Sequence, residues 1–200
     1  AIKTAKSMGL KVVVTDYNRE AEGMLLADYP IEVSTRNINL TVNIAKQFHR
    51  SCPLDGVMTV GTDASQTVAA VADALNLPGI PFEVAERATD KIKMRQVLKG
   101  RGVPIPDFRP IWTLEECQKA VQDMPLPLVI KPCDNMGARG VRKIERLDDL
   151  IPAFREAKEA SISGKLILEE FMEGPELSLD ALVFDDTIHI TGVADRIIER

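Results

Sequence analysis

The sequence predicts an α/β unit built on a doubly wound, mostly parallel sheet, followed by a small α+β unit. Three observations carry that prediction. Short β-branched strands alternate with segments of helical period over residues 1–80. Pro78, Pro81, Pro104 and Pro106 then bracket two helical stretches that read as a linker over 81–106. Beyond the linker the order becomes strand, helix, strand, strand, helix, strand, which suits an antiparallel sheet with two helices on one face over 107–172.

Taken in order, AIKTAKSMG reads as the last turns of a helix stopped by Gly9, and KVVVTD as a strand ending at Asp16. A parallel βαβ unit needs a strand before its crossover helix, so the chain is expected to open in mid-unit, with that first strand missing and Ala1 already helical. EAEGMLLADY follows as a short helix, IEV as a strand, and NINLTVNIAKQFHR as a helix with Leu40, Ile44 and Phe48 apolar. DGVMTV is the next expected strand. Gly61 and Thr62 turn it into an alanine-rich helix with Val68, Val71, Ala72 and Leu75 on one face.

In the linker the second helix is expected from about Asp90 to Gly100. FRPIW, PLVIKP, RGVRKI and KLILEE are the strands of the α+β unit, with TLEECQKAVQDM and RLDDLIPAFREAKEA as its helices. Residues 173–200 begin a further unit, a hairpin turning near Asp185 and Asp186, where turn chemistry explains both acids.

Composition excludes several function classes. The chain has 200 residues, 45% hydrophobic and 28% charged, enough for a sizeable core. A net charge of −5 leaves no excess of cations for a nucleic-acid backbone. No apolar run approaches the roughly 18 residues of a membrane span, and the N-terminus lacks the order of a signal peptide. Three scattered cysteines, Cys52, Cys117 and Cys133, argue for a reducing cytoplasm.

The chemistry concentrates in three places. PLVIKPCDNMGARGVRKI delivers Lys131 at a strand end, ahead of a loop with Gly137 and Gly140. Such a loop can cradle phosphate oxygens with backbone N–H groups while the lysine adds a point charge. A solvated hairpin tip is the plain alternative, and neither GxxxxGK[ST] nor GxGxxG is present. ILEEFMEGPELSLD places Glu169 and Glu170 where strand turns to loop, Met172 beyond them and Glu176 at the next strand, a set able to meet a purine edge and ribose hydroxyls. Solvation alone also accounts for strand-end glutamates. Lys91, early in its helix, is the third element. Asp16 mimics a dinucleotide-binding acid without the fingerprint glycines, Cys133 has no histidine that the sequence brings near it, and His189 reads as an ordinary strand residue.

TDK…M…L…GVPIP, then PLVIKP…GARGV, then LEEFMEGPE, over residues 89–176, resemble the ATP-grasp superfamily, and the preceding α/β unit resembles its pre-ATP-grasp domain. The likeness is strongest to carbamoyl-phosphate-synthase-like large chains, then to biotin carboxylase and purine-pathway carboxylases, with D-alanine–D-alanine ligase more distant. It implies ATP and magnesium as cofactors. Lys91 and Lys131 would reach the phosphates, and Gly137, Ala138, Arg139 and Gly140 would close over them. Glu169, Glu170 and Met172 would form the adenine hinge, the last two partly through main-chain groups, with Glu176 on the ribose. The family's metal-binding acids and asparagine fall on later strands, so the resemblance implies that the chain is truncated at both ends and inactive alone. The implied activity is an ATP-dependent ligase that makes an acyl phosphate from a carboxylate or bicarbonate for attack by an amine or other nucleophile. A small-molecule acceptor and possible homo-oligomer go with it. A non-catalytic nucleotide-binding module, and more remotely an NAD-dependent oxidoreductase, remain alternatives.

Overall fold

The structure, a computed structural model, describes residues 1–61, 63–184 and 187–197. Thr62, Asp185 and Asp186, expected at turns, lie outside the described residues, as does Arg200.

The first unit runs through Ile2–Ser7 (α1), Val13–Asp16 (β1), Glu22–Leu26 (α2), Tyr29–Glu32 (β2), Ile38–Ser51 (α3) and Ser65–Leu75 (α4). β1 and β2 pair in parallel, Val13 opposite Tyr29 and Asp16 opposite Glu32. Asn37 caps α3 by accepting from the Leu40 N–H at 3.1 Å. Asn76 ends α4 in the left-handed conformation, φ 54°, which its short polar side chain tolerates. Ala1 precedes α1 as its N-cap instead of lying within it.

One expected strand does not form. Residues 55–60 join no sheet, so the parallel sheet of this unit has two strands among the described residues where three were expected. A strand is defined by its ladder, and β-branched sequence alone does not make one. Met58 and Val60 project into solvent at 71% and 64% exposure.

Phe82–Thr89 (α5) and Lys91–Gly100 (α6) follow the first unit. Asp90 caps α6, its Oδ1 accepting from the Ile92 and Lys93 N–H groups at 2.9 and 3.1 Å.

The second unit comprises Phe108–Ile111 (β3), Leu114–Asp123 (α7), Leu128–Pro132 (β4), Arg142–Ile144 (β5), Leu150–Ala160 (α8) and Leu166–Glu170 (β6). Its antiparallel sheet has the order β3-β6-β4-β5. A full capping box starts α7, with Thr113 and Glu116 satisfying each other's end of the turn. Ile111, Leu128, Ile130, Ile144, Leu166 and Leu168 turn one sheet face toward Cys117, Ala120 and Met124 of α7 and Leu150, Ala153, Phe154 and Ala157 of α8. The period of two then sends Val129, Lys131, Ile167 and Glu169 to the opposite face. There Ile167 packs on Ile92 of α6, Cys133 and Phe108. β6 is therefore covered on both sides. Glu176–Phe184 (β7) and Thr187–Arg196 (β8) form the expected hairpin, with His189 in β8 opposite Leu182.

Leu168 is fully buried at the centre of the larger core. Leu168→Ala is expected to lower unfolding free energy by about 2–5 kcal/mol, read from urea denaturation midpoints, because the rigid two-sided packing around β6 cannot collapse onto the cavity.

Candidate functional site

Register builds the site. Lys131 stands opposite Ile167, and Glu169 opposite Val129, so the lysine and the glutamate are diagonal neighbours on one face of the sheet. Lys131 Nζ lies 2.5 Å from Glu169 Oε2. From α6, Arg95 donates through Nε to Glu169 Oε1 at 2.8 Å. The carboxylate is only 3% exposed. Its burial alone would push the Glu169 pKa up, but the hydrogen bonds and charges of Arg95 and Lys131 outweigh that and hold it below the usual glutamate value.

Lys91, the first residue of α6, enters the same region. Its Nζ donates to the Asn135 carbonyl at 2.7 Å and reaches the Cys133 carbonyl at 3.5 Å. Burial, then the nearby Lys131 charge, lowers the Lys91 pKa. Lys91, Lys131 and Glu169, singled out from the sequence, thus converge beneath the loop that follows β4. The solvated reading of Glu169 is corrected: the side chain turns inward because both faces of β6 are packed.

The loop is anchored at its base and open at its tip. The Asp134 carboxylate accepts from the Ser161 hydroxyl and from the N–H groups of Ile162 and Ser163. Burial would raise the Asp134 pKa, but these bonds, Ser163 foremost, hold it low. Asn135 donates to the Ala160 carbonyl at 2.7 Å. Gly140, φ 70°, passes so close to α8 that a Cβ would stand 2.5 Å from the Ala160 Cβ. At the tip, Gly137 and Ala138 both take positive φ, 66° and 57°, and a Cβ on Gly137 would meet nothing within 4 Å. Arg139 Nη2 lies 3.5 Å from Asp63 of the first unit, which also faces Arg36 at 3.8 Å.

The hinge residues follow β6. The Glu170 N–H donates to the Asp107 carbonyl at 2.9 Å, so a main-chain contribution there is confined to its carbonyl. Met172 is exposed, and the Lys143 ammonium sits 4.2 Å from the centre of the Phe171 ring. Glu176 opens β7 with Arg196 of β8 at 3.5 Å. The sequence reading missed Arg95, Asp134, Asn135 and Asp63. For Arg95 a signal existed, since it stands four residues after Lys91 and shares its helix face.

Other candidates are occupied otherwise. Asp16 accepts from the Asn18 N–H at 2.8 Å, a local turn. Burial raises the Cys133 thiol pKa to about 12, so it is no ready nucleophile. Among the described residues no three His, Cys, Asp or Glu side chains converge as a metal site.

An ATP-grasp domain model matches residues 88–200, more than half of the chain. The chain belongs to the ATP-grasp family. An ATP-grasp N-terminal domain model matches residues 2–79 as well. The carbamoyl phosphate synthase large chain of Thermotoga neapolitana is 28% identical over 130 residues, 64% of this chain and 12% of that relative. The L-amino acid ligase of Bacillus licheniformis shares the fold at a TM-score of 0.81 and 24% identity, over 97% of this chain and 46% of that one. The biotin carboxylase domain of the Hydrogenobacter thermophilus 2-oxoglutarate carboxylase, in complex with MgADP, ADP and bicarbonate, shares it at 0.76 and 20% identity, over 100% and 48%. The chain spans about a third or less of the length of the first curated relatives it matches and about half of the solved chains.

Two outcomes are expected of the loop base. Asp134 has a folded pKa below its unfolded value, so the stability it contributes is fully present above about pH 4 and disappears as pH falls through the folded value. Acid titration of unfolding free energy should be shallower below pH 4 for Asp134→Asn than for the parent. Gly140→Ala should destabilise the fold by about 1–3 kcal/mol in the same denaturation assay, through both overpacking and positive φ.

Proposed function

We propose that this chain is the nucleotide-recognition portion of an ATP-grasp ligase. The parent reaction would activate a carboxylate or bicarbonate as an acyl phosphate, in the manner of the carbamoyl-phosphate-synthase-like proteins. A carboxylate oxygen attacks the γ-phosphorus of ATP, the β–γ bridging bond breaks with ADP leaving, and an amine or other nucleophile then displaces phosphate from the acyl carbon. Phosphoryl transfer of this kind asks little covalent chemistry of a protein, and much positioning and charge neutralisation.

The observation that carries the reading is the convergence of Lys91 and Lys131, from different elements, under a glycine loop whose tip meets the first unit through the exposed Arg139–Asp63 pair. Two ammonium groups in a partly buried place, with one carboxylate already shared with Arg95, fit a polyanion. Lys131 and Lys91 would hold phosphate oxygens, and the loop 137–140 would fold over them with its N–H groups. Glu170, through its carbonyl, and Met172 would meet the adenine edge, while Glu176 would accept from ribose hydroxyls. Magnesium, which the resemblance implies, would add neutralisation of phosphate charge when bound, and among the described residues no cluster of three His, Cys, Asp or Glu side chains would hold it. The acceptor is a small molecule, the setting a reducing cytoplasm in keeping with three free cysteines, and a homo-oligomer is compatible with the reading.

Calorimetric titration of the 200-residue chain with ATP and magnesium tests this. Lys131→Ala and Glu176→Ala should each weaken binding by about 1–3 kcal/mol, with NAD failing to compete. Saturable ATP binding indifferent to both substitutions would sink the assignment.

A further inference from the structure

Lys91 and Arg95 lie one helical turn apart on α6, and Ile92 between them is packed on Ile167 and Cys133. The helix is thereby held against the sheet, and the Arg95 guanidinium is held over Glu169. Nε donates to Oε1 at 2.8 Å and Nη2 to Oε2 at 3.4 Å, a two-pronged contact with the carboxylate. Lys131 approaches the same Oε2. One buried carboxylate is therefore divided between two cations, and this trio carries a net positive charge before Lys91 is counted.

With Lys131 alone as its partner, Glu169 would form a closed and neutral pair. The lysine charge would be cancelled at short range, and a phosphate would have to compete with a buried carboxylate for it. With Arg95 present, the carboxylate is already satisfied. We infer that Arg95 is a positioning residue of the nucleotide site, acting through Glu169 so that the Lys131 ammonium keeps charge to offer a phosphate. The inference rests on the nucleotide reading above and adds a residue to it. Arg95 does so from outside the strand and loop that carry Lys131, with both prongs of its guanidinium on Glu169.

The effect should follow the phosphates and not the base. Binding of ATP and of adenosine is compared for the parent chain, Arg95→Met, Arg95→Lys, Glu169→Gln and the double variant Arg95→Met/Glu169→Gln. Arg95→Met should weaken ATP about tenfold, the size of one partly screened charge, and leave adenosine within about twofold. Arg95→Lys should recover most of the loss. In the Glu169→Gln background, Arg95→Met should change ATP affinity by less than about threefold, because the residue it acts through is gone. If Arg95→Met does not fold, Arg95→Gln removes the charge while keeping a donor. The Glu169 carboxyl, followed by carbon-13 NMR, should titrate at higher pH in either charge-removing variant, since a cation favouring its ionised form has left.

Equal losses for ATP and adenosine would mean a structural role and overturn the inference. So would an additive double variant, or a Glu169 titration that does not move. If the parent chain itself binds no ATP, the nucleotide reading falls and the inference with it. If the parent binds ATP but the Arg95 comparisons fail, only the inference falls.

Discussion

A single buried carboxylate, that of Glu169, ties together the parts of this molecule that bear on function. Removing a carboxylate from water costs several kcal/mol, and the cost is offset only when cations and hydrogen bonds replace the lost hydration. Glu169 finds its replacements on two other elements, Arg95 on α6 and Lys131 on β4. A misplacement of either element would leave a charge buried without a partner, which is far worse than a lost surface ion pair. The same contact that organises the site thus also specifies how α6 lies on the sheet. Ile92 and Ile167 add the apolar half of that specification.

The glycine loop divides into a fixed base and a lightly held tip for reasons that are equally local. Asp134 and Asn135 bind the end of α8 and the turn after it, and Gly140 fits where no side chain could. These contacts fix the carbonyls of Cys133 and Asn135, and so fix Lys91, which is hydrogen-bonded to both. The tip, by contrast, touches the first unit through the exposed pair of Arg139 and Asp63. Exposed pairs of this sort hold little free energy and are screened by salt. A contact so weak is one that a phosphate can displace, whereas the base would resist the same competition.

Most elements were legible in the sequence because their local signals agree with their packing. Thr113 and Glu116 announce α7, and Asp90 announces α6. The strand expected at 55–60 failed because a strand depends on a neighbour, and composition does not state whether the neighbour is there. Lys91, Lys131 and the glycines were found through motif order, which the structure turns into proximity for the two lysines. The inward turn of Glu169 was not legible, since LILEE reads equally well as a strand end with two solvated acids. Only the covering of both faces of β6 decides it. Arg95 was lost for the same reason: its spacing from Lys91 shows a shared face, but not that the face meets a buried acid.

The chain as a whole carries a net charge of −5, yet Lys91, Lys131 and Arg95 gather near one carboxylate, a local excess of positive charge. Long-range charge does not explain this, because the Debye length at physiological salt is about 8 Å. The local arrangement does. Burial first, and then the charge of Lys131, lowers the Lys91 pKa, because lost hydration and a like charge both disfavour the ammonium form. The interlocked contacts of α6, β4, β6 and α8 hold the two lysines at the base of the loop. Under the proposed function, a phosphate placed between the lysines would offset both effects. The same offset would favour the protonated form of Lys91 and draw its pKa back up once the anion is in place.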